Sequence, residues 1–157
     1  MKIVCISDTH NYHKRIKLPD GDVIVHTGDF SSRGYEHELE NFTNWYGSLV
    51  GKKYKHVILI AGNHDKGTEA HDYFKQMCAR KNIIYLMDSS VTIDGVKFHG
   101  SPVSPRFGFG WAWNSSSNCS NKIIELFIKF RWIFIFLYNW NNKLENRGNY
   151  GGWADNW

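Results

Sequence analysis

Three short clusters in this chain carry side chains suited to holding divalent ions: Asp8-Thr9-His10, Gly28-Asp29 and Gly62-Asn63-His64-Asp65. Asp8 and His10 stand two apart, so in extended chain both side chains fall on one side, and one ion can take a carboxylate oxygen and an imidazole nitrogen from them. Asp29 can supply a carboxylate that bridges to a second ion. Two ions about 3.5–4 Å apart need such a bridge, and together they polarise a phosphoryl oxygen and generate a hydroxide nucleophile at neutral pH. Asn63 offers a neutral carbonyl oxygen to the second position. His64 is then expected over the ions as a general acid toward the leaving group, with Asp65 holding its ring in the useful tautomer.

Each cluster follows an apolar run that reads as a buried strand: Ile3 to Ile6 before Asp8, Val23 to Val25 before Asp29, and Val57 to Ile60 before Asn63. Side chains at the carboxyl ends of neighbouring strands in an open α/β sheet converge on one crevice, so residues far apart in sequence can share a site there. The periodicity predicts a helix over 35–49, with Leu39, Phe42, Tyr46 and Leu49 on one stripe. A second is predicted over 69–80, with Ala70, Tyr73, Phe74, Met77 and Cys78. These are the crossovers a parallel sheet needs. Ile83 to Met87 reads as a further strand, and Val91 to Ile93 with Val96 to Phe98 as a hairpin turning at Asp94-Gly95.

The three clusters, in this order and each behind a strand, resemble the calcineurin-like metallophosphoesterase superfamily. Within it the chain is similar to the metallophosphoesterase domain-containing (MPPED-type) branch. The likeness rests on Asp8-Thr9-His10, the stretch from Gly21 to Phe30, Ala61 to Asp65, Gly100-Ser101-Pro102, and Gly110-Trp111-Ala112-Trp113-Asn114; it covers about residues 1–114. It implies an α/β fold of the αββα sandwich type, of which residues 1–114 are the N-terminal part, followed by a divergent tail over 115–157. It also implies Asp8, His10, Asp29 and Asn63 as ligands of two divalent ions (Mn, Fe, Zn or Co), and His64 and Asp65 as the catalytic pair. The implied reaction is hydrolysis of a small phosphate ester, a cyclic nucleotide in this branch, by a metal-bound hydroxide, with His64 protonating the leaving alkoxide.

In this family two further histidines complete the second ion, one in a His-Gly-Pro-Pro-like segment and one in a Gly-His-x-His-like segment. Neither segment is in this sequence, whose last histidine is His99. The expectation is therefore one ion held in full, with Asp29 and Asn63 alone for a second and His99 the first candidate to join them. The alternative reading is a catalytically impaired or inactive truncated remnant that binds one ion or serves as an interaction module. Residues 115–157 hold four of the seven tryptophans and an apolar stretch from Ile123 to Tyr138. They read as an altered frame, retained intron or alternative last exon, or else as a genuine tail. Glu125, Lys129 and Arg131 interrupt the apolar stretch, which falls short of the ~20 residues of a membrane span.

The remaining composition narrows the setting. At 157 residues the chain makes one domain. Its net charge of +4 and the short clusters Lys14-Arg15-Ile16-Lys17 and Lys52-Lys53-Tyr54-Lys55 suit solvated loops rather than a nucleic-acid surface. Met1 runs straight into the first strand, leaving no room for a signal peptide, and three widely spaced cysteines fit a reducing compartment, so a cytoplasmic location is expected. Cys5 is expected in the core, and His26 in the core or against a ligating carboxylate. His13, His37, His56 and His71 are expected to face solvent.

Overall fold

In the computed structural model, which describes residues 1–105 and 110–115, four parallel strands stand side by side in chain order. They are β1 (Ile3–Ile6), β2 (Val23–His26), β3 (His56–Leu59) and β4 (Ile84–Tyr85). Helix α1 (Glu36–Gly47) crosses from β2 to β3 and α2 (His71–Ala79) from β3 to β4, while a single 3-10 turn, His13–Arg15, lies between β1 and β2. An antiparallel hairpin, β5 (Ser89–Ile93) and β6 (Val96–Gly100), follows, and a short parallel pair, β7 (Ser104–Pro105) with β8 (Asn114–Ser115), closes the described chain. The hairpin turns at Asp94 and Gly95, with φ of 47° and 77°, the left-handed pair this turn requires.

Alternation along the strands sends successive rows of side chains to opposite faces. One row aligns Val4, Ile24 and Val57, which pack under the helices with Leu39, Phe42, Tyr46, Phe74, Met77 and Cys78. The next aligns Cys5, Val25, Ile58 and Ile84. On that face Ile93 and Phe98 of the hairpin join Val25, Ile58, Ile60 and Leu86. The result is a helix layer, a parallel sheet and a β hairpin on the sheet's other face, an α/β arrangement as expected.

Four expectations change. Cys5 is exposed rather than in the core: β1 is an edge strand, and the apolar cluster under the hairpin does not reach its row-end. Tyr73 is exposed and hands its hydroxyl to Glu36 at 2.6 Å, because the buried stripe of α2 is Phe74, Met77 and Cys78, and Ala70 precedes the helix. His13 is fully buried, not solvent-facing, since the 3-10 turn tucks its ring against Phe42 (5.3 Å) and Trp45 (4.8 Å) of α1. His71 is half-buried, with Nδ1 out of contact with water.

Among the described residues, neither ring nitrogen of His13 has a hydrogen-bond partner. Burial, helped by the Lys14 charge, pushes the imidazole down to about 4 from 6.5. Burial likewise takes His26 down to about 3. The unfolded chain therefore binds more protons than the folded one between those values, so stability is full above pH ~6.5 and falls as pH drops through that window. His13→Phe is expected to raise stability by about 1–3 kcal/mol through removal of an unpaired buried polar group, and to flatten the acid limb. Urea unfolding at neutral and acid pH measures both; an unchanged pH slope in the variant would show that His13 is not the titrating group.

Candidate metal centre

The pairing of β1 with β2 does not stop where the strands end. The Thr27 amide donates to the Ile6 carbonyl (3.0 Å), Asp8 to Gly28 (3.0 Å), His10 to Asp29 (3.1 Å) and Asn11 to Phe30 (3.0 Å). This ladder carries the Asp8–Asn11 loop alongside the Gly28–Phe30 loop. Asp8, His10, Asn11 and Asp29 adopt φ of 53°, 39°, 68° and 55°. A left-handed backbone costs a non-glycine residue roughly 1–2 kcal/mol, and such strain concentrates at functional sites. The β3 loop closes in from the other side. A Cβ on Gly28 would lie 2.9 Å from the Cα of Gly62, and one on Gly62 would strike the Asp29 carboxylate. Only two glycines permit this approach.

The ligating atoms of His10, Asp29 and His64 all lie within 4.8 Å of one another, with Asp29 buried and the two histidines half-buried. His10 Nδ1 faces the Ser31 carbonyl at 3.1 Å and His64 Nδ1 the Ser32 carbonyl at 2.9 Å. A carbonyl only accepts, so the proton sits on Nδ1 in both rings, and each Nε2 keeps a free lone pair. The rings meet edge to face with centroids 4.6 Å apart. The His64 amide donates to Asp29 Oδ1 at 3.0 Å. Burial raises the Asp29 carboxyl above the usual range, and the Asp8 charge adds to this against the pull of the His64 amide. Two imidazole nitrogens and a buried carboxylate short of positive charge fit a borderline divalent ion such as Mn, Fe, Zn or Co.

The other expected residues take different places. Asp8 is exposed at the same strand ends, near enough to act on Asp29 through its charge, but outside the three-residue group. Asn63 is half-buried in the loop after β3, its main-chain carbonyl accepting from the Ala112 amide at 3.0 Å. Asp65 does not hold the His64 ring. It is fully buried and accepts instead from the amides of Asp29 (2.9 Å), Ser31 (2.9 Å) and Gly62 (2.8 Å) and from the Ser31 hydroxyl (2.6 Å). Burial pushes its carboxyl up to about 7, the Asp29 charge adding to that. The tautomer-setting role expected of Asp65 belongs to Ser32, because the turn at Gly62 aims residue 65 inward at the loop amides.

His26 is core, fully buried; it accepts from the Gly28 amide on Nδ1 (3.3 Å) and so donates from Nε2 to the Thr9 hydroxyl (3.1 Å) rather than to a carboxylate. His99 sits on the hairpin with Nδ1 2.9 Å from the Ser90 hydroxyl, outside the group. Trp111, ring centroid 4.2 Å from that of His64, walls the site, and Lys66 Nζ lies 5.6 Å from the Trp111 centroid. Sequence reading left Ser31, Ser32 and Trp111 without roles. Backbone carbonyls leave no mark in residue type, and Trp111 is brought in by the Ala112–Asn63 bond, a contact across some fifty positions.

The family model for calcineurin-like phosphoesterases matches residues 1–153, past Asn114, where the recognisable motifs end. Metallophosphoesterase domain-containing protein 1 of Homo sapiens is 37% identical over 135 residues, covering 72% of this chain and 40% of that protein. A UPF0046 protein of Caenorhabditis elegans is 33% identical over 150 residues, covering 79% of this chain and 50% of its own length. The chain thus spans half or less of the length of these two relatives.

Proposed function

The chain belongs to the calcineurin-like phosphoesterase family, and from that premise we propose that it hydrolyses a small phosphate ester, a phosphodiester of the cyclic-nucleotide type, with divalent metal as cofactor. The convergence of His10, Asp29 and His64 at three adjoining strand ends carries this reading. His10 and Asp29 would hold the ion through Nε2 and a carboxylate oxygen, with Asp8 and Asn63 as the further candidate ligands. Bound metal supplies a polarised phosphoryl oxygen and a nucleophile at neutral pH.

The chain's own part is to fix geometry and move one proton. With Nδ1–H tied to the Ser32 carbonyl in either charge state, His64 exchanges its proton at Nε2. From there it can protonate a leaving alkoxide. Trp111 offers an aromatic face beside it, suited to stacking a base. Nucleic acid is a poor fit as partner: Lys53 and Lys55 pair with Asp20 and Asp22, and Lys14 with Asn41. Among the described residues no helix is long and apolar enough to cross a membrane. The free thiols Cys5 and Cys78 suit the cytoplasm. In this reading residues 1–114 are the N-terminal part of the phosphoesterase domain and 115–157 a divergent tail.

A specific observation favours a second reading. No histidine follows His99 in the sequence, and the group assembled among the described residues has three members, enough for one ion. A chain that holds one ion and turns over slowly or not at all fits this equally. Dialysed protein is expected to retain about one manganese or zinc ion per chain. Elemental analysis checks this: a value near two would mean that a further residue completes the second position, and none would remove the metalloprotein reading.

A further inference from the structure

Both site imidazoles owe their tautomer to consecutive carbonyls of one short segment, Ser31 and Ser32. That segment is itself held. On one side Asp65 takes the Ser31 amide and hydroxyl. On the other side stands Glu38 of α1, 8% exposed, which accepts from the Arg33 amide (3.1 Å), the Tyr35 amide (2.9 Å) and Asn11 Nδ2 (2.6 Å). Asn11 follows His10 directly, and the second hydrogen of its amide goes to the Ser32 hydroxyl at 2.9 Å. One carboxylate thus joins the loop that carries His10 to the loop that holds both rings.

We propose that Glu38 is a positioning residue of the site, bracing the Asn11 and Ser31–Tyr35 segments so that His10 and His64 both present a free Nε2. Helix capping does not account for the arrangement. Glu38 is the third residue of α1, and a capping role needs only the Tyr35 amide. The bonds to Arg33 and Asn11 lie outside the helix, on the segments that carry the Ser31 and Ser32 carbonyls and His10. Glu38→Gln keeps the shape but replaces one acceptor oxygen with a donor, which must then face an amide N–H or the Asn11 amide. The loop loses a bond on that side. The Ser31 and Ser32 carbonyls then shift relative to rings that are carried by other strands.

The proposal rests on the metal-site reading, and two measurements on the full chain separate the two. The first is 15N-detected histidine NMR of metal-free protein at about pH 8, which reports the proton position on each ring. Wild type is expected to show His10 and His64 with the proton on Nδ1. Glu38→Gln, and Asn11→Ala, which leaves the Tyr35 bond in place, should show a mixture with Nε2–H. The second is manganese or zinc affinity by chelator competition, expected to fall about 10–100-fold in Glu38→Gln. Glu36→Gln, on the exposed side of the same helix turn, should change neither. If Glu38→Gln and Asn11→Ala lower the melting temperature yet keep both Nδ1–H tautomers, Glu38 is a helix cap and the proposal fails. If wild type binds no metal while the tautomers still shift in the variants, the proposed function falls and the role of Glu38 stands. Should Glu38→Gln not fold, Asn11→Ala decides the matter alone.

Discussion

Asp29→Asn should lower manganese-dependent hydrolysis of bis(p-nitrophenyl) phosphate by more than about 100-fold and strip the chain of its ion. The reason is charge rather than shape. Asp29 is the buried carboxylate of the group it forms with two imidazoles, and its Oδ1 and amide are already fixed by the His64 amide and by Asp65. Asparagine fills the same space and relieves the burial of a carboxylate, so the variant should fold at least as well as wild type while losing the charge that holds the cation. Metal content and rate are measured on the same sample; retention of both would mean the ion sits elsewhere. Asp8→Asn should follow in the same direction if Asp8 joins the ligand set. If the chain holds a single ion, the wild-type rate should itself be low, because a second ion normally shares charge stabilisation. A turnover on the order of 10 per second, ordinary for enzymes, would dismiss the reading of the chain as an inactive remnant.

His64→Ala should separate two substrates. On a diester with an alkyl leaving group the loss is expected to be about 10²–10⁴-fold, the range a positioned general acid contributes. On the nitrophenyl diester it should be under about tenfold, because nitrophenolate departs without a proton. The structure sharpens this test, since a ring nitrogen of His64 lies within 4.8 Å of the His10 and Asp29 ligand atoms. Equal loss on both substrates, with loss of metal, would make His64 a ligand rather than an acid. Loss on the alkyl diester alone, with metal retained, assigns it the proton.

How much of this was legible from the residues depends on the range of the interaction. Strands ahead of Asp8, Asp29 and Asn63, and helices over most of 35–49 and 69–80, follow from local patterns of apolar side chains, and those patterns are short-range. The Asp94-Gly95 turn was readable for the same reason, because few residues accept its backbone angles. His13 was misplaced, since nothing near it in sequence reveals that Phe42 and Trp45 will close over its ring. Asp65 was given the wrong partner because adjacency in sequence suggested His64, whereas a turn sends neighbouring side chains in different directions.

By itself, then, the sequence determined the fold class, a parallel sheet with crossover helices, the family, and which loops carry the site residues, because apolar periodicity and motif position are local features of the chain; the order of the strands came from the structure. Only the tertiary structure decided that His10, Asp29 and His64 form the tight group, that Ser31 and Ser32 set the protons, and that Glu38 reaches the same loops from α1. Those are matters of ångström-scale approach between groups far apart in the chain, some of them backbone carbonyls that every residue carries alike, which local residue pattern does not encode.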